Sequence, residues 1–74
     1  MLGKIKQFHE AEKHFKIAIS ILNDATYHSN LGVLYHRWNR LDDAEKAYIA
    51  ALELNPELNS AKENLKLLMK SKRK

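Results

Sequence analysis

The sequence contains no cysteine, one proline and two glycines among its 74 residues. Without cysteine the chain forms no disulfide and offers no thiolate ligand to a metal. No apolar run approaches the roughly 20 residues that a membrane-spanning helix needs. So little glycine and proline leaves few turns, while a hydrophobic content of 45% argues against disorder. We therefore expect one small all-α domain.

Positive charge is concentrated at the C-terminal end. The net charge is +4, and residues 66–74 hold five cations and no acid, so the preceding residues together carry −1. The simplest interpretation is a solvated helix end whose cations complement the helix dipole. Two alternatives stay open. One is a nuclear-import or nucleic-acid patch. The other is a dilysine signal (Lys70 and Lys72) for retrieval to the endoplasmic reticulum, which needs a membrane-anchored parent.

Parts of the chain repeat one another. Residues 11–18 match residues 44–51 at an offset of 33, and residues 30–35 match residues 64–69 at an offset of 34. Each part carries an apolar stripe at helical spacing, so two helix types alternate along the chain. The pattern predicts about five helical segments with short connections between them, over residues 1–5, 9–22, 25–38, 42–54 and 60–71.

Short polar residues mark the expected helix ends. Asp24 and Asp42 are suited to cap the helices that follow them, and Ser60 has the spacing of a capping box with a glutamate three residues later. Asn39 stands where a tight turn needs a residue that tolerates positive φ. Pro56 restricts the residue before it and should end the third long helix.

The central segment resembles a known family. The resemblance is carried by spaced residues, namely His28, Leu31, Gly32, Tyr35, Ala44, Tyr48, Ala51 and Pro56. Their pattern resembles one complete tetratricopeptide repeat, with His28 in place of the usual Trp and Tyr48 in place of the usual Phe. The resemblance implies an antiparallel helix-turn-helix solenoid, an α-α superhelix. It divides the chain into a partial repeat, a complete repeat, a capping helix and a basic tail, at residues 1–24, 25–58, 59–71 and 72–74.

One pair of equivalent positions separates the complete repeat from the capping helix. Gly32 permits close approach of the paired helix, because it has no side chain. Lys66 occupies the equivalent position one repeat later and would obstruct such an approach. Residues 60–71 are therefore interpreted as a terminal capping helix.

The resemblance also implies a function, because tetratricopeptide arrays are scaffolds that hold a partner protein or peptide in a groove lined by the first helix of each repeat. Asparagine hydrogen-bonds an extended backbone in both directions, and arginine binds carboxylates well. The alternative is that these are ordinary solvated residues. The implied groove residues are Ser29, Asn30, Val33, His36, Arg37, Glu63, Asn64, Leu67 and Lys70.

One subclass of the family clamps acidic chaperone C-termini with lysine, arginine and asparagine. Asn30 stands where that clamp has asparagine. Ser29 and Val33 replace a lysine and an asparagine of the clamp, and Glu63 would repel an acidic peptide. We therefore do not expect binding of acidic chaperone tails.

No constellation of catalytic or metal-binding residues emerges. His9 and His14 are five residues apart and His28 and His36 eight apart, so neither pair has the i, i+4 spacing that places two ligands on one helix face. There is no glycine-rich phosphate loop and no serine beside a plausible histidine–carboxylate pair. We expect no enzyme activity, no cofactor, no metal and no small-molecule substrate.

About two repeats are fewer than such arrays usually need, since each repeat buries its face on its neighbours. The sequence therefore suggests a piece of a longer array. It also predicts an apolar, self-associating edge formed by Leu2, Ile5 and Phe8. Ile17 and Ile21 lie off the stripe of their helix, where they could meet the next helix or an absent neighbour.

The leading hypothesis is an interaction module that binds a peptide or helix of a partner protein. One alternative is binding of nucleic acid or an acidic surface through residues 66–74, which salt would weaken steeply. Another is a purely structural end piece of a longer array. We expect a cytoplasmic location, with a nuclear or endoplasmic-reticulum-associated location, as part of a larger protein, as the alternative.

Overall fold

The computed structural model describes the backbone of residues 2–72 and the side chains of residues 6–72. This part of the chain folds into four helices and contains no strand, which confirms the all-α class. They are α1 (Leu2–Ile21), α2 (Ala25–Arg37), α3 (Leu41–Leu54) and α4 (Asn59–Lys72). The sequence predicted separate helical segments at residues 1–5 and 9–22, but the structure has no interruption between them. Residues 4–21 contain no glycine or proline to interrupt a helix, so α1 runs through it.

Each helix packs against the next one along the chain. Helix α2 packs against α1 and α3, α3 packs against α4, and α4 also contacts α2. The short connections make sequence neighbours antiparallel partners. The chain measures 36 × 36 × 15 Å, and its least dimension is little more than one helix diameter of about 10–12 Å. Much of each helix therefore stays open to solvent or to a partner.

Several helix ends are set by the expected local chemistry. The side chain of Asp24 accepts a hydrogen bond of 2.7 Å from the backbone N–H of Thr26 and caps α2. Asn39 adopts φ 64° in the turn between α2 and α3. Asn55 caps the end of α3, directly before Pro56.

Two predicted caps are wrong. Arg40 precedes α3 without a side-chain cap, and Asp42 lies inside the first turn, where its carboxylate pairs with Lys72 at 2.9 Å. A carboxylate in that turn is still stabilised by the helix dipole. Helix α4 begins at Asn59, so Ser60 lies within its first turn and not before it.

The main core lies between α2, α3 and α4. Its buried members are Leu31, Tyr35, Ala44, Ala47, Tyr48 and Leu68. The expected close approach at Gly32 is confirmed, because a Cβ atom placed there would lie 2.6 Å from Cε1 of Tyr48. That residue is 1% exposed, so its ring is enclosed by its neighbours. The absence of a side chain at residue 32 therefore sets the distance between α2 and α3.

We expect Gly32→Ala to destabilise the fold by about 1–3 kcal/mol, the usual range for overpacking a core. In an open helix the same change would stabilise by about 1 kcal/mol. Urea denaturation followed by circular dichroism measures the difference.

The control is the same substitution in a Tyr48→Leu background, where the ring is gone. There Gly32→Ala should be neutral or stabilising. An equal loss in both backgrounds would mean that the ring of Tyr48 does not set the spacing.

Candidate functional site

A cleft of about 300 Å³ lies between α1 and α2. Helix α2 supplies residues spaced i, i+3, i+4 and i+7, which share one helix face. Helix α1 supplies two aromatic rings from its inner face. The lining residues are Phe8, Phe15, Asn30, Val33, Leu34 and Arg37.

The cleft combines an apolar floor with two exposed polar groups. Phe8, Phe15 and Val33 are half-buried, while Asn30 and Arg37 are exposed to solvent. An asparagine amide both donates and accepts hydrogen bonds, so it can pair with either polar group of a peptide backbone. Arginine binds a carboxylate with two parallel hydrogen bonds. This arrangement suits a segment that presents an apolar side chain and a carboxylate.

An aromatic cluster around Trp38 fixes one end of the cleft. The Trp38 ring stacks on Phe8 at a centroid distance of 5.4 Å and meets the ring of His9 edge-on at 4.7 Å. The guanidinium of Arg40 lies 4.6 Å above Trp38 and 5.1 Å above Tyr35. These cation–π contacts hold Arg40 against the end of α2. The contacts of Trp38 with Phe8 and His9 hold that end against α1.

The predicted self-associating edge is revised at Phe8. Its ring is half-buried against Trp38 and lines the cleft, so it is not a free apolar edge. The side chains of Leu2 and Ile5 lie outside the described residues, and their part of that prediction stays a prediction.

A partly buried hydrogen bond anchors α1 to α2. The hydroxyl of Tyr35 donates to the Glu12 carboxylate at 2.5 Å, and Lys16 and Arg40 lie 3.6 and 3.9 Å from the same oxygen. The hydrogen bond from Tyr35, with the nearby cations, lowers the pKa of Glu12. Burial, followed by the contact with Glu12, raises the pKa of Tyr35. At neutral pH the tyrosine is therefore the donor and the glutamate the charged acceptor.

Sequence reasoning missed this contact. Glu12 was seen only as a residue that matches Glu45 across the repeat. The signal in the sequence was its position, because Glu12 borders the apolar stripe of α1. In the structure its side chain is only 16% exposed.

The other predicted groove residues do not line the cleft. Ser29 is 3% exposed, so its predicted place on an open groove is wrong. It lies on a packed side of α2, about one helical turn before the buried Gly32. His36 is half-buried outside the lining.

The α4 members of the predicted groove are also separate from this cleft. Glu63 and Leu67 are exposed and Asn64 is half-buried, and none of the three lines it. Lys70 lines a different cleft, between α3 and α4. The structure therefore brings together only Asn30, Val33 and Arg37 of the predicted set.

Of the predicted basic tail, residues 72–74, the structure describes only Lys72. Lys72 belongs to α4, and its ammonium lies 2.9 Å from Asp42 and 2.6 Å from Glu45. The Lys72 contact lowers the pKa of Asp42, and hydrogen bonds to Glu45 and Asp42 raise the pKa of Lys72. Arg73 and Lys74 lie outside the described residues.

The histidines and acidic residues of the described part form no group of three or more that could hold a metal. His28 contacts Asn23, with 2.7 Å between Nε2 and Oδ1. Within residues 2–72 no helix is both long and apolar enough to cross a bilayer.

Comparison with known proteins gives a family and three relatives. The family described as tetratricopeptide repeat matches residues 25–58. Protein O-mannosyl-transferase TMTC4 is 54% identical in Mus musculus and in Homo sapiens, over 62% and 60% of this chain and 6% of each relative. Protein O-mannosyl-transferase F38B6.6 of Caenorhabditis elegans is 39% identical over 89% of this chain and 10% of the relative. No solved structure matches.

We expect Glu12→Gln to reduce stability at pH 7 by about 1–1.5 kcal/mol, because the glutamine oxygen can still accept the hydrogen bond from Tyr35 but lacks the charge that strengthens it. The pKa of Glu12 is lowered by folding. Its contribution is therefore present above the unfolded pKa and is lost as pH falls through the folded pKa. The variant should lose less stability than the wild type on acidification.

Chemical denaturation at pH 7 and across the acid range measures both effects. Glu10→Gln is the matched control, since Glu10 is exposed on the same helix. If the two variants behave alike, the Tyr35–Glu12 contact does not anchor α1.

Proposed function

Residues 25–58 are a tetratricopeptide repeat, and we propose that this chain is a protein-interaction module that binds a segment of a partner protein between α1 and α2. The observation that carries the proposal is the pairing of an apolar floor with exposed Asn30 and Arg37. The floor accepts an apolar side chain, Asn30 bonds the backbone and Arg37 bonds a carboxylate. The cleft is also rigidly supported, because Phe8 is held by Trp38.

The module belongs, in this proposal, to a longer array within a larger protein. The chain spans only 6% to 10% of the length of the curated relatives it matches. Exposed apolar side chains on α1 support the same idea, since Ile17 is 49% and Ile21 81% exposed. The two are one helical turn apart and share a face that another helix could cover.

This segment would serve binding and not catalysis. The relatives are named protein O-mannosyl-transferases, but the match covers a small share of each. We assign the present chain the role of holding a protein for, or within, a protein of that kind. The endoplasmic-reticulum-associated alternative goes with this role in place of a cytoplasmic location, since protein glycosylation is part of that compartment's chemistry.

Binding of nucleic acid through the basic end receives less support. Lys72 pairs with Asp42 and Glu45, which neutralises part of the positive charge of residues 66–74. Binding to phosphates through several cations should fall steeply with salt, whereas cleft binding should weaken only mildly. A purely structural end piece would bind neither nucleic acid nor a peptide.

The test starts from peptides selected on the 74-residue chain from a random display library and then resynthesised. We expect Asn30→Ala and Arg37→Ala each to weaken peptide binding about fivefold to tenfold, which corresponds to one lost hydrogen bond. Isothermal titration measures the affinity, and amide chemical shifts locate the peptide.

Lys46→Ala is the matched control, because Lys46 is exposed on α3 and lines none of the clefts described. Its affinity should equal that of the wild type. The proposal would be contradicted if the peptides bound both cleft variants as tightly as the wild type. It would also be contradicted if they changed the amide chemical shifts of residues 66–72 alone.

A further inference from the structure

A second cleft, of about 540 Å³, lies between α3 and α4. Its floor is apolar and its charged lining is entirely basic. The lining residues are Leu52, Leu65, Met69, Lys62, Lys66 and Lys70.

The internal repeat explains the shape of this cleft. At the offset of 34, Leu65 and Met69 of α4 are equivalent to Leu31 and Tyr35 of α2. In α2 this face is covered by α3, and Leu31 and Tyr35 are 6% and 7% exposed. In α4 the same face is only partly covered, since Leu65 is half-buried against the main core and Met69 is 43% exposed. The cleft therefore lies on a face of α4 whose equivalent on α2 is covered by a helix, α3.

The charge of this α4 face differs from that of the equivalent face of α2. Lys66 replaces Gly32, the residue that lets the ring of Tyr48 approach. A helix placed over α4 thus has to stand farther away and face an ammonium group. Lys62, Lys66 and Lys70 are spaced by four residues, so they form one row along α4, with a rise of about 6 Å between neighbours.

From this geometry we propose that the α3–α4 cleft docks an acidic amphipathic helix of a partner protein. The apolar stripe of that helix packs on Leu52, Leu65 and Met69. Carboxylates spaced by one helical turn along its edge pair with the lysine row. Lys72 takes no part, since Asp42 and Glu45 already hold it. The α3–α4 cleft is separate from the α1–α2 cleft and shares no lining residue with it.

The probe is a synthetic helical peptide of about 14 residues, or about 21 Å, with a leucine stripe flanked by glutamates four residues apart. A peptide of identical composition but scrambled order has no stripe. We expect the striped peptide to bind the 74-residue chain at least about tenfold more tightly than the scrambled one. Fluorescence anisotropy at two salt concentrations measures this difference.

Charge reversal identifies the site. Lys66→Glu should weaken the striped peptide about tenfold, because like charges would then meet. A striped peptide with lysines in place of glutamates should bind Lys66→Glu more tightly than it binds the wild type. Lys46→Glu is the matched control, with the same charge change at an exposed site of α3, and Arg37→Ala should also leave the affinity unchanged.

Three results would overturn the inference. Equal binding of the scrambled peptide, or an equal effect of Lys46→Glu, would mean a general attraction for polyanions. Binding to phosphatidylserine vesicles without binding to the striped peptide would make the site a membrane contact. Loss of striped-peptide binding in Arg37→Ala would mean that the peptide binds in the α1–α2 cleft.

Discussion

The contact between Gly32 and Tyr48 is the constraint on which the arrangement depends. The ring fills the space that a side chain at residue 32 would need, so α2 and α3 form one tightly packed pair. The other two helices attach to this pair from opposite ends of the sequence. Helix α1 is held through Glu12 and Tyr35, and α4 through the fully buried Leu68. Both clefts are formed where an attached helix meets the pair.

The sequence predicted those features that depend on local chemistry. Asp24 and Asn39 mark helix ends through the conformations that their own backbones and side chains favour. Gly32 was found as part of the repeat pattern, because a residue without a side chain lets the paired helix approach closely. Helical periodicity also identified the apolar stripes, since it depends only on spacing within one element.

The features that the sequence missed join distant parts of the chain. Tyr35 and Glu12 are 23 residues apart, and Lys72 and Glu45 are 27 apart. Periodicity tells which face of a helix turns inward, but not which polar side chain meets which across an interface. Ser29 shows the same limit, because a small residue at the border of a stripe lies inside or outside according to a modest helix rotation.

The thin, open architecture links binding to stability. A chain of this size draws roughly 3–5 kcal/mol from its core, and its least dimension of 15 Å leaves faces of α1 and α4 uncovered. A ligand at about 100 times its dissociation constant stabilises the folded state by about 2.7 kcal/mol. That gain is comparable to the whole stability of the isolated chain. Exposed apolar residues such as Ile21 and Met69 are thus unused contact surface, and whatever covers them contributes to folding as well as to recognition.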